Sequence, residues 1–295
     1  MSSLKKAMAR AREDRGGGRG AAAGSVPERA PAEAAEALVW PSSPEPGEVE
    51  RALDRVLTGG GGLAAPRVVV NPTYSRTRVE TTDVDHLRRH KVVPCCSDGG
   101  ISDQIKILRT QVLQRMQETG ANSLLVTSAN PGEGKTFTAT NLAVSMAQAL
   151  DRTTLLVDTD LRSPDVGTRF GLNGSPGLTA YLEEGAELAD LLVNPGIPKL
   201  TVLPAGRPRR NSSELLGSPR MEALVREMKA RYPDRFLVFD GTSLLSCADA
   251  QVFARYVDAV VLVVEGERTP AADVERALDL LEGLPLLGMV YNKAR

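Results

Sequence analysis

The chain has 295 residues, with 36 Lys and Arg against 37 Asp and Glu, a formal net charge of −1, and 42% apolar side chains. That balance leaves no basic footprint for nucleic acid, no apolar run reaches the ~18 residues of a spanning helix, and the start lacks a signal peptide's apolar core. A cytoplasmic protein is expected, and its three cysteines, Cys95, Cys96 and Cys247, suit a reducing compartment.

From Met1 to about Pro66 the sequence is rich in Ala, Gly, Pro, Arg and Glu, with glycine runs at Gly16-Gly17-Gly18 and Gly59-Gly60-Gly61-Gly62. Such a segment buries too little apolar surface to offset chain entropy, so residues 1–66 are expected to be a disordered arm. Val49, Leu53 and Val56 recur at helical spacing within it, which suits a transient helix over Glu48–Leu57. Residues 67–100 read as a partly ordered linker. His86 and His90 precede Cys95-Cys96 there, but adjacent cysteines do not easily share one tetrahedral ion, so no zinc site is expected. Residues 101–295 are enough for one well-packed α/β domain.

In that domain the first helix is expected from Asp103 to about Glu118. Strands follow at Ser123–Ser128, Thr153–Asp158, Leu200–Leu203, Phe236–Asp240, Ala259–Val264 and Leu287–Tyr291. Near-continuous apolar runs of this kind belong to a parallel sheet covered by helices on both faces. Helical patterns run from Phe137 to Leu150, from Ser212-Ser213-Glu214 through Met221, Leu224, Val225 and Met228 to near Tyr232-Pro233, and from Thr269-Pro270 through Val274, Leu278 and Leu281. The fold class is α/β, a doubly wound and mostly parallel sheet, in which ligands sit at the carboxyl ends of the strands.

The first strand leads straight into Ser128-Ala129-Asn130-Pro131-Gly132-Glu133-Gly134-Lys135-Thr136, and a helix follows. A Gly-rich turn between strand and helix aims backbone N–H groups and the positive helix end at one point, which suits a phosphate chain. The spacing Ala129-x4-Gly134-Lys135-Thr136 fits the P-loop with Ala in place of the usual first Gly. Lys135 would reach the outer phosphates, the Thr136 hydroxyl would ligate Mg2+, and Asn130 to Phe137 (Asn130, Pro131, Gly132, Glu133, Gly134, Lys135, Thr136, Phe137) would form the nucleotide cradle.

Acids close two other strands. Asp240 follows Phe236-Leu237-Val238-Phe239, where the Walker B acid of a P-loop protein holds the metal. Asp158 and Asp160 close Leu155-Leu156-Val157, and alternation points both to one side, a costly pairing unless a cation lies between them. The metal set is therefore Thr136, Asp160 and Asp240, with Asp158 assigned to activation of the attacking hydroxyl or water. Arg162 either meets phosphate or balances the two acids. Asn292, ending the last strand, either reads the adenine edge or caps the strand.

Pro131-Gly132-Glu133-Gly134-Lys135-Thr136, Val157-Asp158-Thr159-Asp160-Leu161-Arg162 and the Asp240 strand together resemble the bacterial tyrosine kinases, P-loop autokinases that regulate exopolysaccharide synthesis. Leu203-Pro204-Ala205-Gly206 and Asn211-Ser212-Ser213-Glu214-Leu215-Leu216 are similar to that family too. Asp151-Arg152-Thr153, Tyr232-Pro233-Asp234-Arg235 and Val264-Glu265-Gly266-Glu267-Arg268-Thr269 most resemble its exosortase-associated branch. The resemblance implies a P-loop NTPase fold of the MinD/ParA-like type, ATP and Mg2+ as cofactors, and γ-phosphoryl transfer to tyrosine. It also implies a ring-like homo-oligomer and activation by the cytosolic segment of a membrane polysaccharide chain-length regulator, which would hold the protein peripheral to the inner membrane.

Three positions depart from the family pattern. Asp240-Gly241-Thr242-Ser243 replaces an Asp followed by a small residue and two prolines, so the turn behind the metal acid is expected to loosen. Gln104-Ile105-Lys106 stands where the family has an oligomer-forming Glu-Tyr-Arg. The family's terminal tyrosine cluster is missing, and of the five tyrosines Tyr74 is the most reachable acceptor. A catalytically degenerate ATP-binding regulatory module and a MinD/ParA-like switch ATPase are the alternatives. The second is weakened because Ala129-Asn130-Pro131 lacks the extra Lys that such switches often carry.

Overall fold

The computed structural model describes residues 77–93, 99–148, 152–231 and 235–294. The expected arm, the Glu48–Leu57 helix, Tyr74, Cys95, Cys96 and Tyr232 lie outside the described residues. β1 (Arg78–Val79), α1 (Val84–Arg89) and α2 (Gly100–Thr119) lead into β2 (Ser123–Ser128) and α3 (Lys135–Ala147). Next come β3 (Thr153–Asp158), α4 (Val166–Arg169), a π-helical turn (Ala180–Glu184), α5 (Leu188–Leu191), β4 (Val193–Asn194) and β5 (Leu200–Leu203). α6 (Ser212–Leu216), α7 (Pro219–Arg231), β6 (Arg235–Ser243), α8 (Asp249–Phe253), β7 (Ala259–Glu265), α9 (Ala271–Leu280) and β8 (Leu286–Asn292) follow.

Among the described residues eight strands form one sheet, in the order β1-β4-β5-β3-β6-β2-β7-β8. All pairings are parallel except β4 with β5. β2 and β3 are buried at every residue because helices cover both faces. Alternation sorts their side chains into two cores. Leu125, Leu155, Val157, Leu237 and Phe239 pack on one face with Met221, Leu224 and Val225 of α7. Leu124, Val126, Leu156, Phe236 and Val238 pack on the other with Ala139, Leu142 and Ala143 of α3. Each fully buried Leu, Val or Phe contributes roughly 1.5–3 kcal/mol, so this double layer fixes where every strand ends.

Four expected strands keep their starts, but β6 runs on to Ser243 instead of stopping at Asp240. Where a looser turn was expected after Asp240 the strand continues, with its register against β2 shifting by one residue between the pairs Val126–Asp240 and Ser128–Ser243, and a Cβ on Gly241 would stand 2.7 Å from Leu125 Cδ1, so glycine lets the strand pass close to β2. Thr127 Oγ1 donates to the Thr242 carbonyl at 2.6 Å and secures the extension. The single helix expected from Ser212 divides at Gly217-Ser218, where Ser218 Oγ accepts the Met221 N–H at 3.2 Å and Pro219 opens α7. β1 and β4 were illegible because two residues carry no period.

Candidate active site

The phosphate loop joins β2 to α3. Gly132 and Gly134 take φ of 83° and 103°, a left-handed backbone that glycine adopts without strain. No side chain caps α3, which leaves its first N–H groups directed into the loop's concavity.

The back of the loop is laced to the strands beside it. Glu133 is buried, and its carboxylate accepts the Asn130 N–H at 2.9 Å and the Thr269 hydroxyl at 2.5 Å. Asn292 donates its side-chain amide to the Glu133 carbonyl at 2.8 Å, and Lys293 Nζ donates to the Gly132 carbonyl at 2.7 Å and to Glu265 at 3.0 Å. A Cβ on Gly134 would lie 2.1 Å from Asn292 Nδ2, so the amide occupies the space that a larger residue would need. Asn130 Nδ2 donates to Asp273 at 3.0 Å. The Glu133 side chain thus faces away from the cradle and stiffens it.

Three acids and a lysine face the front. Asp158 and Asp240 are partners in the register of neighbouring strands β3 and β6, and both are fully buried. Thr159 ties these strand ends together, donating its N–H and its hydroxyl to the Asp240 carbonyl at 2.9 and 2.7 Å. Lys135 Nζ meets Asp160 Oδ2 at 2.7 Å and Thr136 Oγ1 at 3.2 Å. Burial alone would lower the lysine's pKa, but the charges of Asp240 and Asp160 outweigh it and hold the ammonium above its ordinary value.

The acids differ in what they receive. Asp158 accepts backbone N–H groups from Asp160, Asp165 and Val166 at 3.1–3.2 Å. Burial, followed by the charges of Asp240 and Asp160, still pushes its pKa well above the usual carboxylate value. Neither oxygen of Asp240 has a hydrogen-bond partner. Its pKa rises to about 6, chiefly through burial, which Lys135 and the nearby Thr136 hydroxyl oppose and the charge of Asp160 reinforces. A buried carboxylate with both oxygens unpartnered fits a cation at this spot. Among the described residues no group of three or more His, Cys, Asp or Glu side chains is arranged to hold an ion alone. Asp240, Asp160 and the Thr136 hydroxyl fit Mg2+ in the way that suits it, with few carboxylates and the remaining oxygens from phosphate and water.

Arg162 pairs its Nε with Asp249 at 3.2 Å rather than with Asp158 or Asp160, and Asp249, buried at the start of α8, also accepts the Ser213 hydroxyl at 2.5 Å. Burial would raise the pKa of Asp249, yet hydrogen bonds from serine and Arg162 hold it below the usual value. The sequence reading missed Asp249, Thr269 and Asp273, because a lone acid or threonine at a short helix start carries no pattern. Lys293 was visible only as a strand-end residue.

No protein-family model matches the chain. It is 35% identical over 193 residues to the tyrosine-protein kinase YwqD of Bacillus subtilis, covering 65% of this chain and 80% of that protein. The chain belongs to the bacterial tyrosine-protein kinases. Among solved structures, the chimerical protein CapA2B2 superposes with a TM-score of 0.64 at 30% identity, over 73% of this chain and 92% of that one. The kinase domain of the Escherichia coli tyrosine kinase ETK does so with 0.60 at 30%, over 66% and 77%. Membership makes the chain a protein-tyrosine kinase on a nucleotide-binding fold.

Proposed function

We propose that this site binds ATP with Mg2+ and transfers the γ-phosphoryl group to tyrosine, as an autokinase that regulates exopolysaccharide biosynthesis and export. The observation that carries the reading is the pair of register neighbours Asp158 and Asp240, one satisfied by backbone N–H groups and one unpartnered, facing Lys135 across Asp160.

Phosphoryl transfer depends on positioning and on neutralising charge, and these residues divide that work. The N–H groups of Gly132 to Thr136 hold the phosphate chain, while the lacing by Glu133, Asn292 and Lys293 keeps the loop in shape. On nucleotide binding Lys135 moves from Asp160 to the outer phosphates, which frees Asp160. Thr136, Asp160 and Asp240 would hold Mg2+, whose charge would offset that on the transferring group. Asp158 takes the proton of the attacking phenol, helped by a raised pKa. Arg162, held by Asp249, stands at the rim of the site.

Among the described residues no helix is long and apolar enough to cross a membrane. Activation through the cytosolic segment of a membrane polysaccharide chain-length regulator, self-association, and a place in the exosortase-associated branch complete the proposal. The gathering of Asp158, Asp160 and Asp240 around Lys135 favours an active enzyme over a degenerate module.

The test is to incubate the purified chain with ATP and Mg2+, with and without such a segment, and to follow phosphotyrosine and free phosphate together. Phosphotyrosine is expected, and Lys135→Ala should lower its rate by about a hundredfold or more. Phosphate release without phosphotyrosine would overturn the reading in favour of a switch ATPase.

A further inference from the structure

Asp158 is fixed from behind by residues far from the phosphate loop in sequence. Both N–H groups that meet its Oδ2, from Asp165 and Val166 at 3.2 and 3.1 Å, come from the start of α4. α4 is four residues long and has no side-chain cap, so it does not hold that start in place by itself. Residues 80–93 hold it.

That segment first follows β4, with the Glu80 and Thr82 N–H groups donated to the carbonyls of Asn194 and Pro195 at 2.8 and 3.1 Å. It then crosses the far end of α4. Thr82 Oγ1 donates to the Phe170 carbonyl at 2.6 Å, and His86 Nε2 donates to the Thr168 carbonyl at 2.9 Å. Gly171 turns there with φ of 67°, and a Cβ on it would lie 3.5 Å from Thr82 Cγ2 and 3.6 Å from His86 Nε2, so the two surfaces are in contact. His90 stacks on His86 with ring centroids 4.3 Å apart. Arg169 carries the contact back toward the acid: its Nη1 donates to the His90 carbonyl at 3.0 Å, while its Nε donates to the Asp165 carboxylate at 2.8 Å. Leu87 and Val92 lie buried in one core with Val166, Phe170 and Leu172.

The same segment ends on the phosphate-loop helix. Asn141 of α3, fully buried, accepts the Val93 N–H at 2.7 Å and donates to the carbonyls of Lys91 at 3.0 Å and Phe137 at 2.8 Å. Residues 80–93 thus tie the donors of Asp158 to the helix that carries Lys135 and Thr136. A displacement of about 1 Å at a reacting group can cost on the order of a hundredfold in rate, so a tie that fixes this spacing bears on transfer.

We infer that Thr82 and His86 are positioning residues for phosphoryl transfer: with Arg169 they hold the start of α4 against Asp158 and so set where its carboxylate stands relative to the phosphate loop. The inference rests on the kinase reading above, in which Asp158 takes the phenol proton. The bonds of Thr82 and His86 reach Asp158 through α4, so their effect falls on the transfer step and not on nucleotide binding.

The experiment follows phosphotyrosine on the full chain and on an added glutamate–tyrosine copolymer at saturating MgATP, with nucleotide affinity and thermal unfolding measured on the same samples. Thr82→Val and His86→Leu, which each remove one donor, should each lower the transfer rate by about tenfold with MgATP affinity unchanged. Thr82→Ser and His86→Gln keep a donor near the same point and should restore most of that rate. Asp258→Ala, just before β7, removes the acceptor of the Asn122 and Ser123 N–H groups at the opposite end of the sheet. It should lower the melting temperature and leave the rate unchanged, which separates positioning from loss of stability. In an Asp158→Asn background Thr82→Val should cost little more, because both changes act through one carboxylate. Wild-type rates in Thr82→Val and His86→Leu, an equal loss of rate in Asp258→Ala, or an undiminished loss in the Asp158→Asn background would each overturn the inference and leave the kinase reading standing. Wild type that modifies neither itself nor the copolymer would overturn the kinase reading and this inference with it.

Discussion

The ends of β3 and β6 lie side by side, each closing on a buried acid, yet the chain around them is built differently. Behind β3 the backbone turns back and presents three N–H groups to Asp158, so that acid is complete as it stands. Behind β6 the strand continues through Gly241 with a one-residue register shift against β2, and Asp240 is left with neither oxygen paired. The difference teaches that one position serves to hold a carboxylate still and the other to receive a cation. An unpartnered buried charge costs several kcal/mol, so its retention needs a ligand that offsets it.

The sharpest way to break that contrast is Asp240→Asn. In the nucleotide-free chain the variant should be more stable near pH 7.5, by on the order of 3 kcal/mol from a pKa near 6 against an ordinary value of 3.8. Thermal unfolding without metal checks this, and MgATP should then raise the melting temperature of wild type far more than that of the variant. A variant destabilised in the absence of metal would show that Asp240 is satisfied by the protein alone.

The pH dependence follows from the same acid. Its folded pKa is raised, so its contribution to the stability of the metal-free chain is present below about 3.8 and is lost as pH rises through about 6. Mg2+ binding has the opposite sign, because only the ionised acid receives the cation. Affinity for MgATP should therefore strengthen as pH rises through about 6, and the Asp240→Asn chain should lack that step, as calorimetric titration across the window would reveal.

Smaller effects test the back of the phosphate loop. Glu133→Gln replaces a charged acceptor shared by Asn130 and Thr269, and a loss of about 1–2 kcal/mol in ATP affinity is expected without a change in metal dependence. Lys293→Ala should cost less, about 0.5–1 kcal/mol, because its contacts with Gly132 and Glu265 are exposed and the ion pair is screened. Equilibrium binding of a fluorescent ATP analogue would order the two.

The apolar strands and the phosphate loop were legible because each carries a pattern: β2, β3 and β5 were bounded to the residue, and Gly134-Lys135-Thr136 announced the cradle. Asp158, Asp160 and Asp240 were legible as strand ends, and the structure brings them to one place with Lys135. The partner of Arg162 was not legible. Asp249 reaches it across 87 positions, and only the packing of α8 against the sheet brings them together. The fit of Gly241 was not legible for a related reason: sequence shows that glycine frees a backbone, but not that the Leu125 side chain of the neighbouring strand fills the space beside it. The reversed edge formed by β1 and β4 was hidden because two-residue strands have no period.

The measurement that bears most directly on the division between the two acids is phosphotyrosine formation by Asp158→Asn under saturating MgATP, with nucleotide affinity measured on the same sample. Affinity close to wild type with the transfer rate lowered by about a hundredfold or more is the expected result. Transfer at the wild-type rate, or loss of MgATP binding equal to that of Asp240→Asn, would contradict it.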